Sequence, residues 1–142
     1  MRRITLLLLF VLLFMASGRT ETGSSKRKIP CKTPAIAATC YWTHGRLGFT
    51  NGTPALRLWK IGTHRLLGIY SGPLTCNPTA CDLYGDNENP ELPLNIQQLL
   101  KNFDRRIFAD FEVCPLEPEK PGAMQAACIE SAKNIYVEET DR

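Results

Sequence analysis

The stretch CYWTHGRLGFTNGTPALRLWKIGTHRLLGIY, Cys40 to Tyr70, holds Arg46, Arg57, Trp59, Tyr70 and the chain's two histidines, His44 and His64. Paired guanidinium groups chelate carboxylate, sulfate or phosphate through parallel N–H bonds, and an indole or phenol ring stacks on a sugar or on a guanidinium. Arg46, Arg57 and Trp59, bordered by His44 and Tyr70, therefore point to a surface that binds an anionic group or a saccharide. A second chemistry stays open, a hydrolase in which His44 or His64 works with a carboxylate from the C-terminal half. Against it, neither Ser71 nor Ser131 lies in a G-x-S-x-G nucleophile motif.

Metal chemistry finds less. The run DLYGDNENPE offers Asp82, Asp86 and Glu88 to calcium, but without the glycine and closing glutamate of an EF-hand loop. There is no C-x-x-C pair to hold zinc. No metal and no cofactor is expected.

Strands must place the arginines. An Asn51-Gly52 type I′ turn sets Leu47 opposite Leu56, Phe49 opposite Pro54 and Arg46 directly opposite Arg57. Like charges so placed repel, so something anionic should lie over them, either an external ligand or an internal acid such as Asp110 or Glu112. A second turn at Gly62-Thr63 sets Leu58 opposite Leu67 and Leu56 opposite Ile69. Period-two alternation then puts Leu47, Phe49, Leu56, Leu58, Leu67 and Ile69 on one apolar face of a three-stranded meander. The other face carries the arginines, Trp59, His44 and Tyr70, with Gly68 leaving space beside the arginines. Asn51 also opens an Asn-Gly-Thr glycan acceptor, but its turn role comes first, and Pro54 stiffens the chain just after it.

Further on, Ile96, Leu99, Leu100 and Phe103 fall at helical spacing. Asn95 is the expected cap, with Gln98 completing the box and Leu94 stapling onto Leu99. In IFADFEVC, Ile107, Ala109, Phe111 and Val113 alternate with polar residues, which predicts a strand. MQAACIESA and NIYVE read as two more short strands.

Residues 1–18 carry two arginines, an apolar run of about eleven residues and small residues before Arg19, the pattern of an export signal. The run is short of the roughly 20 residues of a membrane span. Residues 19–30 read as a flexible polar leader and 31–142 as one β-rich domain. In an exported chain, Cys31, Cys40, Cys76, Cys81, Cys114 and Cys128 predict three disulfides and no free thiol nucleophile. The local set Cys31–Cys40, Cys76–Cys81 and Cys114–Cys128 is the expected pairing, because each pair flanks one compact loop.

Charge is unevenly spread. Residues 19–75 contain nine Lys/Arg and one Glu, whereas residues 76–142 contain six Lys/Arg and thirteen Asp/Glu. Either the halves neutralise one another or part of the basic half faces a ligand. The near balance after the signal argues against nucleic acid.

The blocks CYWTHGRLGFTNGTPALRLWKIGTHRLLGIYSGP, Cys40 to Pro73, and FADFEVCPLEPEKPGAMQAACIESAKN, Phe108 to Asn134, resemble a group of small exported bacterial proteins without known activity. The resemblance implies a secreted or periplasmic location and no glycan on Asn51. The Leu-x-Leu-Trp rhythm is also loosely similar to transthyretin-like sandwiches. The expected fold is mainly β, a small disulfide-stapled, β-sandwich-like domain with one short α-helix. The expected role is a non-catalytic binding or structural module, with a hydrolase and a purely structural, internally neutralised protein as alternatives.

Overall fold

The computed structural model describes residues 27, 29–73, 75, 76, 81, 82, 89–100 and 104–139. Its elements are β1 (Tyr41–Phe49), β2 (Leu56–Lys60), β3 (Leu66–Ile69), β4 (Thr75–Cys76), β5 (Cys81–Asp82), α1 (Leu94–Gln97), β6 (Arg105–Pro115) and β7 (Gln125–Glu139). The fold is mainly β with one short helix and two disulfides joining its N-terminal segment to β6 and β7.

The alternating apolar residues define the inside of this fold. Leu47, Leu56, Leu58 and Ile69 are fully buried, Leu67 nearly so, and Phe49 packs at the margin. Ile107, Ala109, Phe111 and Val113 of β6 meet them with no exposed surface. The layers that face each other across this core are opposite walls of one closed sheet, in the order β1-β2-β3-β7-β6 with β6 returning to β1. Only β3 and β7 run parallel. The result is a closed five-stranded barrel of mixed parallel and antiparallel strands.

The second hairpin keeps its predicted register, Leu58 opposite Leu67 and Arg57 opposite Gly68. The first does not. Arg46 pairs with Trp59, Leu47 with Leu58, Gly48 with Arg57 and Phe49 with Leu56. Thr50 N donates to Ala55 O at 2.8 Å, closing a wider loop from Asn51 to Pro54. In that loop Gly52 has φ 104° and the Thr53–Pro54 peptide is cis. Pro54 has no N–H to donate, so it is a poor ladder partner for Phe49, as the tighter turn required. The pairing slips by an even number of residues, so every side chain keeps its predicted face while every cross-strand partner changes.

The helix also differs at its start. Pro93 takes the N-cap position and no side chain caps the helix. Asn95, the predicted cap, donates instead to Ala132 O at 3.2 Å. Proline's fixed φ suits a helix start and its missing N–H costs nothing there. Ile96 and Leu100 close the core as predicted, whereas Leu94 is half exposed; Phe103 lies outside the described residues. The two short C-terminal strands are one long strand, β7, whose register against β6 shifts twice. Asn134, at φ 54°, sits at one of these irregularities, so a bulge takes the place of the expected break.

The bridges are Cys31–Cys128 and Cys40–Cys114, which corrects the expected Cys31–Cys40 and Cys114–Cys128. Adjacent strands bring Cys114 and Cys128 face to face on the ladder. The segment before β1 packs over that point, so each strand cysteine pairs with one cysteine of the segment. Cys76 and Cys81 are backbone ladder partners, and their side chains lie outside the described residues. The two bridges are consistent with an oxidising extracytoplasmic site.

Of the 19–30 leader, Arg27, Ile29 and Pro30 are described, and they are tied to the barrel. The Arg27 guanidinium donates to the carbonyls of Ile129 and Ser71, and Ile29 N donates to Glu91 Oε2 at 3.0 Å. Burial pulls the Arg27 guanidinium below its ordinary pKa, against the opposing pull of Glu130 and Glu91. The predicted export signal, residues 1–18, lies outside the described residues, as do Asp86 and Glu88 of the acidic run. Among the described residues no helix is long and apolar enough to cross a membrane.

Candidate functional site

On the outer wall, where β1 ends beside the starts of β2 and β6, a cleft of about 100 Å³ is lined by Arg46, Gly48, Phe49, Thr50, Arg57, Trp59, Leu66 and Arg106. Three arginines therefore line one concavity. The ladder explains how. Arg46 faces Trp59 on one side and Phe108 on the other, while Gly48 in the next row lies between Arg57 and Arg106. A Cβ at position 48 would meet Arg106 Cγ at 3.6 Å, an ordinary van der Waals contact, so the Arg106 stem passes over Gly48.

Two of the arginines are held in place. The Arg46 guanidinium carbon stands 4.4 Å from the Trp59 ring centroid, a cation–π distance. The indole is fixed in turn, because Trp59 Nε1 donates to Thr63 O at 2.8 Å. Arg57 donates from Nε to Pro54 O at 3.1 Å and from Nη2 to Asn51 O at 3.2 Å, so the β1–β2 loop positions it. Gly52 keeps that space open, since a Cβ there would stand 2.9 Å from Arg57 Nη2.

Among the described residues, no ion pair to a carboxylate involves Arg46, Arg57 or Arg106. The contrast with other cations is sharp. Lys32 bridges Glu112 at 2.6 Å, Arg65 bridges Glu119 at 2.6 Å and Arg105 bridges Glu139 at 3.0 Å. Among the described residues the two halves thus neutralise one another in places, with no ion pair at the cleft. Asp110 and Glu112, the internal acids expected over the arginines, are engaged elsewhere.

Asp110 accepts from Asn134 Nδ2 at 2.6 Å and contacts His44 Nδ1 at 2.9 Å, and these bonds hold its carboxyl below the usual aspartate range. Burial pushes the Glu112 carboxyl up, but the bonds from Lys32 and Ser131 bring it below its ordinary value.

Of the predicted site residues, Arg46, Arg57 and Trp59 line the cleft together, but Arg46 and Arg57 are not direct partners. His44 sits one row away, paired with Asp110. Tyr70 lies on the far side of Gly68, beyond the cleft lining. The space expected at Gly68 is taken by the Pro54 ring, whose Cγ would stand 2.7 Å from an added Cβ. His64 is exposed in the β2–β3 turn. Among the described residues, no group of three or more His, Cys, Asp or Glu is arranged to hold a metal ion.

Arg106 is the residue that sequence reasoning missed. Extending the alternation of IFADFEVC one residue back from Ile107 is the signal that could have placed it on the outer face. Its neighbour across the sheet, Gly48, came from a strand far away in the chain. No family model, no curated protein and no solved structure matches the chain.

Proposed function

We propose that this domain is an exported, non-catalytic module of the bacterial envelope, secreted or periplasmic, that binds an anionic group in the cleft between Arg46, Arg57 and Arg106. One observation carries the reading: three arginines line one cleft and none of them is bridged to a carboxylate among the described residues. No two of these arginines are direct ladder partners, but like charges lining one cleft still repel one another, and a bound anion relieves this. The reading rests on the site and not on the barrel, because one fold hosts many functions.

A thermal-shift titration tests it. Inorganic sulfate should raise the melting temperature of the parent in proportion to the logarithm of its concentration once above the dissociation constant. Arg106→Ala should lose that response and stay close to the parent's stability without sulfate, because among the described residues it breaks no ion pair, Glu138 being its ladder neighbour but not bridged to it. A destabilised Arg106→Ala variant with no sulfate response in the parent would instead support a purely structural domain.

The contact between His44 and Asp110 favours a second reading. A carboxylate that orients an imidazole is half of a general-base arrangement, which keeps a hydrolase in view. Turnover of ester or glycoside substrates by the parent and its loss in His44→Ala would establish that reading. Equal rates in the two proteins would remove it.

A further inference from the structure

Resting on the anion-binding reading, we infer that the natural ligand is an oligosaccharide bearing sulfate or phosphate esters, with one ester in the arginine cleft and a neighbouring sugar ring stacked on Tyr136. Three guanidinium groups offer more positive charge than one carboxylate can neutralise. A tetrahedral oxyanion, with three acceptor oxygens and up to two charges, matches them better. The sheet then sets the direction in which the rest of the ligand runs.

Two rows lead away from the cleft across β6 and β7. One runs from Gly48 through Arg106 to Glu138 and ends on a carboxylate, which repels a polyanion. The other runs from Arg46 through Phe108 to Tyr136 and carries no charge beyond the arginine. Tyr136 is 65% exposed, the most open of the large apolar side chains among the described residues, and its ring stands 6.3 Å from that of Phe108 at a tilt of 53°. Phe108 thus supports the phenol ring from beside it and leaves it open to solvent. Strands lie about 4.8 Å apart, so Tyr136 is roughly 10 Å along the row from Arg46. A lone anion cannot reach both places, whereas a chain of sugar rings can. Aromatic rings exposed in this way present a flat apolar face to the C–H side of a sugar.

The test measures binding by calorimetry for the parent, Tyr136→Ala, Tyr136→Phe and Arg106→Ala. The probes are inorganic sulfate, inorganic phosphate, a sulfated hexasaccharide, a phosphorylated hexasaccharide, the same hexasaccharide unmodified, and a six-nucleotide oligothymidylate. The parent should bind at least one of the two esterified sugars roughly tenfold or more tightly than the matching free ion, as expected when a second contact is linked to the first. Which ester gains more identifies its source. Tyr136→Ala should remove most of that gain without changing the affinity for the free ion, Tyr136→Phe should keep it, and Arg106→Ala should weaken ion and sugar alike.

If Tyr136→Ala binds both sugars as the parent does while the free ions still bind, the sugar subsite is wrong and the anion-binding reading stands. If neither free ion nor esterified sugar binds the parent, both fall. Oligothymidylate bound as tightly as the better sugar, or unmodified sugar bound equally well, would also overturn the assignment.

Discussion

Arg46 and Trp59 are ladder partners, and the guanidinium of one lies over the ring of the other with 4.4 Å between carbon and centroid. The pair orients a cation at the cleft without using any of its N–H groups on a protein acceptor in the described residues. Exposed cation–π contacts contribute about 0.5 to 1 kcal/mol. Trp59→Leu should therefore destabilise the protein by about 1 kcal/mol in urea denaturation and weaken sulfate binding through the loss of Arg46 orientation. Unchanged stability together with unchanged sulfate affinity would mean that the stack positions nothing.

The loop that holds Arg57 depends on Pro54 lying over Gly68. A methyl group at position 68 would begin 2.7 Å from Pro54 Cγ, whereas one at position 48 would begin 3.6 Å from its nearest neighbour, Arg106 Cγ. Gly68→Ala should lower stability by about 1 to 3 kcal/mol by overpacking, and Gly48→Ala by less. If chemical denaturation shows the two variants equal, the wider first hairpin is not the structure in solution.

The asymmetry between these glycines shows what the amino-acid order discloses and what it leaves to the fold. Alternation alone assigned Leu47, Leu58, Ile107 and Phe111 to the inside, because the side-chain period of a strand is independent of its partner. Which residue faces which across the first hairpin was beyond it. The Asn51-Gly52 signal is strong locally, yet Pro54, without an N–H, shifts the ladder. Arg106 could be placed on an outer face but not beside Gly48, since contacts between β1 and β6 depend on barrel closure. The expected Cys31–Cys40 and Cys114–Cys128 pairings failed for the same reason: cysteines that flank compact loops along the chain are matched instead by elements that the barrel brings together.

Asp110 makes a pH-dependent contribution with a definite sign. Hydrogen bonds from Asn134 and His44 depress its pKa in the folded state, so its stabilisation is present above the ordinary aspartate value of about 3.9 and is lost as pH falls through the lower, folded value. Asn134→Gly removes the strongest of these bonds while permitting the positive φ of position 134. NMR titration should show the Asp110 carboxyl moving up toward the ordinary range, and the acid-unfolding midpoint moving to higher pH. An unmoved Asp110 titration would rule out the Asn134 contact.

The disulfides close loops of 97 and 74 residues by sequence separation. Chain-entropy arguments put a loop of this length at about 4 to 5 kcal/mol, and small exported domains lose about 2 to 5 kcal/mol with one native bridge. Non-reducing peptide mapping should recover Cys31 with Cys128 and Cys40 with Cys114. The double variant Cys40→Ser with Cys114→Ser should lose stability in that range. Recovery of Cys31 with Cys40 would contradict the way the N-terminal segment is fastened to β6 and β7.

The most direct measurement follows the arginine side chains themselves. Nε–H resonances recorded during a phosphate titration report each guanidinium separately. Arg46, Arg57 and Arg106 should shift together along one saturable curve with a common dissociation constant. Arg65 and Arg105, which already have carboxylate partners, should stay near their starting positions. A small, unsaturated drift shared by all arginines, or no shift at the three cleft residues, would contradict the existence of an anion site between them.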